Sequence, residues 1–384
     1  MVYQRITRAL LLCAGFLSLL SAQANAAPTW KQILLPSALV SNGGNLFPLS
    51  DGNVFAVSAS GVSGGYITSI YRAPLSAITA GSPKWTALGA ITSSTCAHCG
   101  TEVTTTMMAT PNGTIFIALS NGRGFSDVLY WNGSTSSPSW STVTGYSGTA
   151  SSFIYSFTQD SSGYTYFSPA WSGDVWRNDS VNATAFTKEV SHVYTAFGQK
   201  DGGIYAEKIM NLGKGDDWVG CGEGGVLDSD LAFTSATTYL ASGYSGNCTN
   251  IAFNSSVILV TRYNKFPNDL SSINTSTLAV TNYACALPRS STSCVSQAVN
   301  SSLGSLSFLN GSRFVWNVKE TSTGTIHLLM SSTNGATWND ITPGLGANCT
   351  GSNAGLQQRQ SYQPPNDIFA KCQRGQYYWV YGPV

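Results

Sequence analysis

Five of the chain's eighteen acidic residues fall between positions 216 and 230: Asp216, Asp217, Glu223, Asp228 and Asp230. Trp218 stands among them, and glycines fill much of the remaining space. Clustered carboxylates with backbone carbonyls in a glycine-rich loop are what calcium prefers, so all five are candidate calcium ligands. Paired carboxylates beside an indole could instead do acid/base work on a glycoside, with Asp216, Asp217 and Glu223 as the catalytic candidates. A third reading is a solvated polar loop. As a binding feature, Trp218 would stack on a ligand while Asp228 and Asp230 accept its hydrogen bonds.

A second chemically suggestive segment is Cys96-Ala-His98-Cys99. Two thiolates and an imidazole could ligate zinc, yet no fourth ligand is evident nearby. A small disulfide ring is the better reading, because the chain carries an export signal. Arg5 and Arg8 precede the apolar run Ala9 to Leu20, and Ala24-Asn-Ala26 closes it with an A-x-A pattern. The run is too short to span a bilayer, for which about 20 apolar residues are needed. Residues 1–26 are therefore expected to be a signal peptide and 27–384 a single domain, secreted or periplasmic, in a bacterium.

Removing the leader removes Cys13 and leaves eight cysteines, an even number in an oxidising compartment. The expected pairs are Cys96–Cys99, Cys221–Cys248, Cys285–Cys294 and Cys349–Cys372. Charged residues make up 10% of the chain and the net charge is +1, which excludes a basic field for nucleic acid. The composition favours turns over helices: 39 glycines, with serine, threonine and asparagine in the place of lysine, glutamate and alanine. Ten Trp, 18 Tyr and 16 Phe still demand a large core.

The elements that position these residues are legible as a repeat of about 52 residues. One series is a tight turn before a β-branched or aromatic strand: Asp51-Gly52, Asn112-Gly113, Ser162-Gly163, Gly202-Gly203, Asn254-Ser255, Asn310-Gly311 and Asn366-Asp367. The other is an aromatic or apolar residue opening a short strand, at Trp30, Trp85, Trp140, Phe186, Tyr239, Val295 and Trp338. The two series alternate. Each unit has room for four short antiparallel strands, the size of one propeller blade. The expected fold is all-β, a seven-bladed β-propeller, with six or eight blades also compatible. The strand after Trp30 would complete the last blade and close the ring.

The segment Ser331-Ser-Thr333-Asn-Gly335-Ala-Thr337-Trp338 resembles an Asp-box, the bacterial neuraminidase repeat found in sialidases and other propellers. Thr333 stands where that pattern has aspartate. The resemblance implies a sialidase-like superfold and a turn between third and fourth strands. Tyr71-Arg72-Ala73-Pro74 is similar to the arginine motif of sialidases, which makes Arg72 a catalytic-site candidate. Equivalent third-strand positions at Tyr130-Trp131 and Trp176-Arg177 make it equally a repeat residue.

In such a meander, first-to-second and third-to-fourth connections share one face, while second-to-third connections and the links between sheets share the other. The long segments Gly89–Thr101, Met210–Leu231, Arg262–Ser276 and Gly344–Gly355 are expected on the second face. Binding usually resides on long loops held by a rigid scaffold. The expected function is thus recognition of a glycan or an extracellular or periplasmic protein by a monomer, with enzymatic activity left open and leaning against. A sialidase-like glycoside hydrolase and a structural envelope or assembly factor are the alternatives.

If residues 1–26 are a cleaved leader, the exported protein begins at Ala27. Intact-mass measurement of the secreted product should show their loss, and a product retaining them would overturn the assignment.

Overall fold

The computed structural model describes residues 31–37, 45–49, 51–62, 65–96, 105–120, 126–148, 154–160, 162–169, 175–190, 208–211, 218–222, 225–229, 238–239, 248–262, 270–277, 279–283, 288–290, 293–294, 297–298, 306–310, 312–320, 326–341, 355–356, 367–371 and 377–381. Strands dominate, arranged as a β-propeller with at least five blades. The sheets follow one another along the chain as antiparallel meanders.

The first sheet is Asn45–Pro48, Asn53–Val62, Gly65–Pro74 and Thr86–Thr92; the second is Thr105–Ala109, Ile115–Ser120, Ser126–Trp131 and Trp140–Thr142. The third comprises Ile154–Gln159, Thr165–Pro169, Val175–Asn178 and Phe186–Val190, and the fourth Lys208–Asn211, Trp218–Gly222, Gly225–Ser229 and Thr238–Tyr239. Cys248–Phe253, Val257–Arg262, Leu270–Asn274 and Val280–Tyr283 form the fifth. In the sixth, Gln297–Ala298 and Leu306–Asn310 both pair with Arg313–Glu320, followed by Ile326–Ser331 and Asn339–Asp340. The last sheet is Gly355–Leu356, Asp367–Lys371 and Tyr377–Tyr381, completed by Lys31–Ile33 from the other end of the chain. Lys31 pairs with Trp379 and Ile33 with Tyr377, as the N-terminal closure requires.

Second strands are buried on both faces, which explains their unbroken apolar runs. Ile115, Ile117 and Leu119 pack towards the first sheet with Phe55, Val57, Ile70 and Leu88. The alternate residues Phe116 and Ala118 pack towards the third sheet with Phe157, Phe167 and Phe186. Burying each such large side chain contributes roughly 1.5–3 kcal/mol. Ile33 joins Leu46, Val54, Ala56, Ala73 and Ile78, so the closing strand is also packed onto the first sheet.

Two of the aromatic residues that open fourth strands fasten their sheet to its predecessor, whereas the Trp338 indole donates to Gly335 O within its own turn. Trp85 Nε1 donates to Leu34 O at 2.8 Å, and Trp140 Nε1 donates to Leu88 O at 2.8 Å. The separations of 51 and 52 residues are the repeat itself. Phe186 has no ring donor, and at the next seam the backbone substitutes: Thr144 and Ala185 form a parallel bridge, and Phe186 N donates to Thr144 O at 2.8 Å. The chains approach so closely there that a Cβ on Gly145 would lie 1.9 Å from Phe186 O.

The turn from Ser331 to Trp338 is closed by its own side chains. Ser331 Oγ accepts from Thr333 N and Gly335 N, at 3.2 and 2.9 Å. Thr333 Oγ1 accepts from Thr337 N at 2.9 Å, doing a cap's work at the position where an aspartate would otherwise stand. Asn334 and Gly335 both take positive φ, and a Cβ on Gly335 would meet Leu259 of the fifth sheet at 2.7 Å.

Three expectations are corrected. The fourth strand of the fifth sheet is Val280–Tyr283, not a strand at Val295. It has no aromatic opening, and a hairpin of Pro288–Ser290 with Ser293–Cys294 follows it, so the periodic signal slips downstream. Met210–Leu231 is not one long loop: Trp218–Gly222 pairs with Gly225–Ser229 in an antiparallel hairpin. Its glycines and charges hid a short alternating pattern. Arg262–Ser276 likewise contains the strand Leu270–Asn274. Gly202-Gly203 lies outside the described residues.

Removing the Trp140 indole donor while keeping an aromatic ring, in Trp140→Phe, should cost about 1–3 kcal/mol by leaving Leu88 O unpaired. Gly145→Ala should cost more, because the clash is with backbone. Urea midpoints at unchanged m-value would check both.

Candidate functional site

On the face that carries first-to-second turns, asparagine and aspartate close the chain on itself. Asn112 Oδ1 accepts from Thr114 N at 3.2 Å, Asp51 Oδ1 from Asn53 N at 3.0 Å, and Asn254 Oδ1 from Ser256 N at 2.9 Å. Third-to-fourth turns follow the same rule: Asn132 Oδ1 accepts from Ser134 N at 3.1 Å and Asn274 Oδ1 from Ser276 N at 2.9 Å. These side-chain oxygens are used within their own turns, while Asn254 Nδ2 also donates to Asn334 Oδ1 of the next sheet at 2.8 Å.

This face also holds a titratable network in the third sheet. Asp160 Oδ1 accepts from Ser162 N and Tyr164 N, while Oδ2 accepts from the Tyr166 hydroxyl at 2.9 Å. Arg177, paired with Tyr166 across the strands, lies 4.8 Å from the Tyr164 ring centre. Burial, then the hydrogen bond and charge of Asp160, hold the Tyr166 phenol well above the usual value of 10.0, against the lowering pull of Arg177.

The opposite face receives the second-to-third connections and the links between sheets, including the Pro288–Cys294 hairpin and the two-part inner strand of the sixth sheet. Its best-defined part is the start of Ser126–Trp131. Tyr146 Oη donates to Ser126 O at 3.3 Å, and Ile154 N donates to Ser126 Oγ at 3.2 Å. A Cβ on Gly148 would lie 2.3 Å from Ser126 O, so the outgoing link is pressed against this corner. The incoming link arrives on its other side: Cys96 Sγ is 3.3 Å from Asp127 Oδ2. Cys96 is fully buried and Asp127 only 8% exposed.

Of the residues singled out by sequence, Arg72 is placed firmly. Its guanidinium lies 5.1 Å from the Trp131 ring centre, between the first and second sheets. That contact occupies the cation, as the repeat explanation requires. Trp218 and Asp228 belong to adjacent strands, not a loop: Trp218 pairs with Ser229 and Asp228 with Val219, at successive, alternate register positions. Asp216, Asp217, Glu223 and Asp230 lie outside the described residues. In sequence, Asp216-Asp217 directly precede Trp218 and Asp230 directly follows Ser229, whereas Glu223 follows Gly222 at the far end of the strand. The strand separates those ends by about 13 Å. Cys221 and Cys248 stand on the neighbouring strands Trp218–Gly222 and Cys248–Phe253. Cys99, Cys285, Cys349, Cys372 and His98 lie outside the described residues.

Sequence reasoning missed one pair. His327 Nδ1 is 2.7 Å from Asp340 Oδ2, joining third and fourth strands of the sixth sheet. Both side chains are partly buried and His327 Nε2 is wholly so, a geometry suited to fastening the outer strand. Only the pairing of two strands thirteen residues apart brings them together, which no local motif encodes. Among the described residues, no group of three or more potential metal ligands converges, and no helix is long and apolar enough to cross a membrane.

No family model matches the chain, and no curated protein does. Its architecture is similar to that of propeller proteins of known structure. Virginiamycin B lyase from Staphylococcus aureus is 11% identical with a TM-score of 0.55, over 92% of this chain and 98% of the lyase. A GH74 xyloglucanase from Xanthomonas campestris is 11% identical with a TM-score of 0.56, over 91% of this chain and 53% of the other. The extracellular domain of a one-component system from B. thetaiotaomicron is 12% identical with a TM-score of 0.54, over 94% and 44%. This chain therefore spans about half of the xyloglucanase and less than half of the sensor chain. The likeness is one of fold.

A raised phenol pKa in the native state contributes stability that is present below pH 10 and lost as pH rises beyond it. Alkaline unfolding should therefore include a component that Tyr166→Phe abolishes, measured as the melting temperature between pH 8 and pH 12.

Proposed function

We propose that the chain is an exported, seven-bladed β-propeller that binds a glycan or a protein partner through the face carrying the links between sheets. The observation behind this reading is the contrast between the two faces. One consists of turns whose Asn and Asp side chains already hydrogen-bond their own backbone. The other receives the longer links and an inserted hairpin, the kind of elaboration on a rigid scaffold that recognition uses. Six four-stranded sheets and one five-stranded sheet among the described residues support a count of seven.

Several finer readings go with it. The Ser331–Trp338 turn is an Asp-box in which Thr333 replaces the aspartate. Cys96–Cys99, Cys221–Cys248, Cys285–Cys294 and Cys349–Cys372 are disulfides that fasten the binding face. Asp216, Asp217, Glu223, Asp228 and Asp230 are the candidate calcium ligands. The similar structures include a xyloglucanase and an extracellular sensor domain, which suits a sugar ligand and an extracytoplasmic location.

The test is a glycan array probed with residues 27–384, with and without a calcium chelator. Binding is expected, and replacing 288–293 with a Gly-Ser linker that keeps Cys294 should weaken it at least tenfold while leaving the melting temperature within about 2 °C. Undiminished binding in that variant, or an array without any ligand, would count against a glycan site on this face.

A further inference from the structure

We propose that Asn132-Gly133 is a site of spontaneous deamidation, a modification that closes a succinimide in the turn ahead of Trp140 and opens it to isoaspartate or aspartate. The chain has six Asn-Gly pairs. Three lie among the described residues: Asn112-Gly113, Asn132-Gly133 and Asn334-Gly335. Sequence alone does not rank them, because glycine follows asparagine in all three. Closure needs the glycine amide to lose its proton to base and its nitrogen to attack the asparagine Cγ. Gly113 N donates to Thr110 O at 2.9 Å, and Gly335 N donates to Ser331 Oγ at 2.9 Å. An amide held in this way is protected from base until its hydrogen bond opens. Among the described residues no acceptor takes the Gly133 amide, and both Asn132 and Gly133 are exposed.

The carbonyl half of the reaction is prepared as well. Asn132 Oδ1 accepts from Ser134 N at 3.1 Å and from Ser139 N at 3.3 Å, so two backbone donors stand where negative charge gathers as the nitrogen adds. Asn112 Oδ1 also accepts from two donors, Thr114 N and Thr110 Oγ1, which leaves the glycine amide as the difference between these two pairs. A Cβ on Gly133 would meet nothing within 4 Å, whereas one on Gly335 would strike Leu259, so the Gly133 backbone has space to turn towards Cγ. The Gly133 nitrogen bonds to Cγ and the Cγ–Nδ2 bond breaks. Nδ2, which had donated to Ser137 O at 3.2 Å, leaves as ammonia with the proton that the base removed. Water then opens either carbonyl of the imide, giving aspartate or isoaspartate, so one water is consumed for each ammonia released. Isoaspartate adds a methylene to the backbone of the turn that places Trp140, whose indole holds the seam at Leu88 O.

The experiment incubates the purified, folded protein at pH 8 and follows Asn112, Asn132 and Asn334 in one peptide map, with electron-transfer fragmentation to separate isoaspartate from aspartate. Asn132 should deamidate at least about tenfold faster than either of the others, the factor that one amide hydrogen bond supplies. In concentrated guanidinium chloride the three rates should come within about threefold of one another, since the contrast lies in the fold. Ser331→Ala removes the acceptor of Gly335 N and should accelerate Asn334 by about tenfold while leaving Asn132 unchanged. An Asn132 that deamidates no faster than Asn112 or Asn334 in the folded protein overturns the proposal. So does a tenfold contrast that persists in denaturant, which would assign it to sequence, and so does a folded Ser331→Ala in which Asn334 is not accelerated. Melting curves accompany the variant. If it does not fold, amide hydrogen exchange in the parent protein decides: Gly133 N–H is expected to exchange faster than those of Gly113 and Gly335, and the reverse order overturns the assignment.

Discussion

The seam between neighbouring fourth strands is the constraint on which the ring depends. Each sheet is a meander that could twist freely; in the first two, what fixes its position is a donor reaching one repeat back, from Trp85 to Leu34 O and from Trp140 to Leu88 O. Where the aromatic is Phe186, the backbone bridge between Thr144 and Ala185 holds the same seam. The seam thus requires a donor at a fixed place, and either an indole or an amide can supply it. That requirement keeps the repeat length narrow around large core residues such as Phe55, Phe116 and Phe167, which any slip would unpack.

Much of this was legible in sequence because the seam is made by residues that stand out. Tryptophans before fourth strands and turns before second strands mark Trp85, Trp140, Asp51-Gly52 and Asn112-Gly113 correctly. The N-terminal closure followed from counting, and Lys31–Ile33 does pair with Tyr377–Tyr381. Legibility failed where a strand lacks its marker. Val280–Tyr283 opens on valine, and the Pro288–Cys294 hairpin then supplies a misleading candidate at Val295. The acidic run failed for a different reason: glycines and carboxylates are loop formers by propensity, yet Trp218-Val-Gly-Cys-Gly is held as a strand by its place between two others. The His327–Asp340 and Cys96–Asp127 contacts were illegible because each joins residues that only strand pairing or a link between sheets brings together.

The faces of the ring differ in how their polar groups are satisfied. On the turn face an Asn or Asp side chain accepts from the amide two residues on in several turns, which keeps them short. The same geometry explains why Asn-x-Ser and Asn-x-Thr triplets are frequent here: they are the residues of such turns, at Asn112, Asn132, Asn254 and Asn274. On the link face polar groups are satisfied by partners distant in sequence, as Ser126 shows by holding both Tyr146 and Ile154. Between the fifth and sixth sheets the turn face is coupled as well, since Asn254 Nδ2 donates to Asn334 Oδ1 at 2.8 Å.

Closure by Lys31–Ile33 has a consequence for how the protein is made. The last sheet needs a strand synthesised before all others, so its contact spans nearly the whole chain, from Lys31 to Trp379. Contacts of such sequence separation form late, since loop-closure entropy must be met before they contribute. Until then Tyr377–Tyr381 presents an aromatic-rich edge with unpaired backbone groups, the form most open to association with another chain. The interval between completing the chain and seating its first strand is accordingly the stage at which folding and aggregation compete.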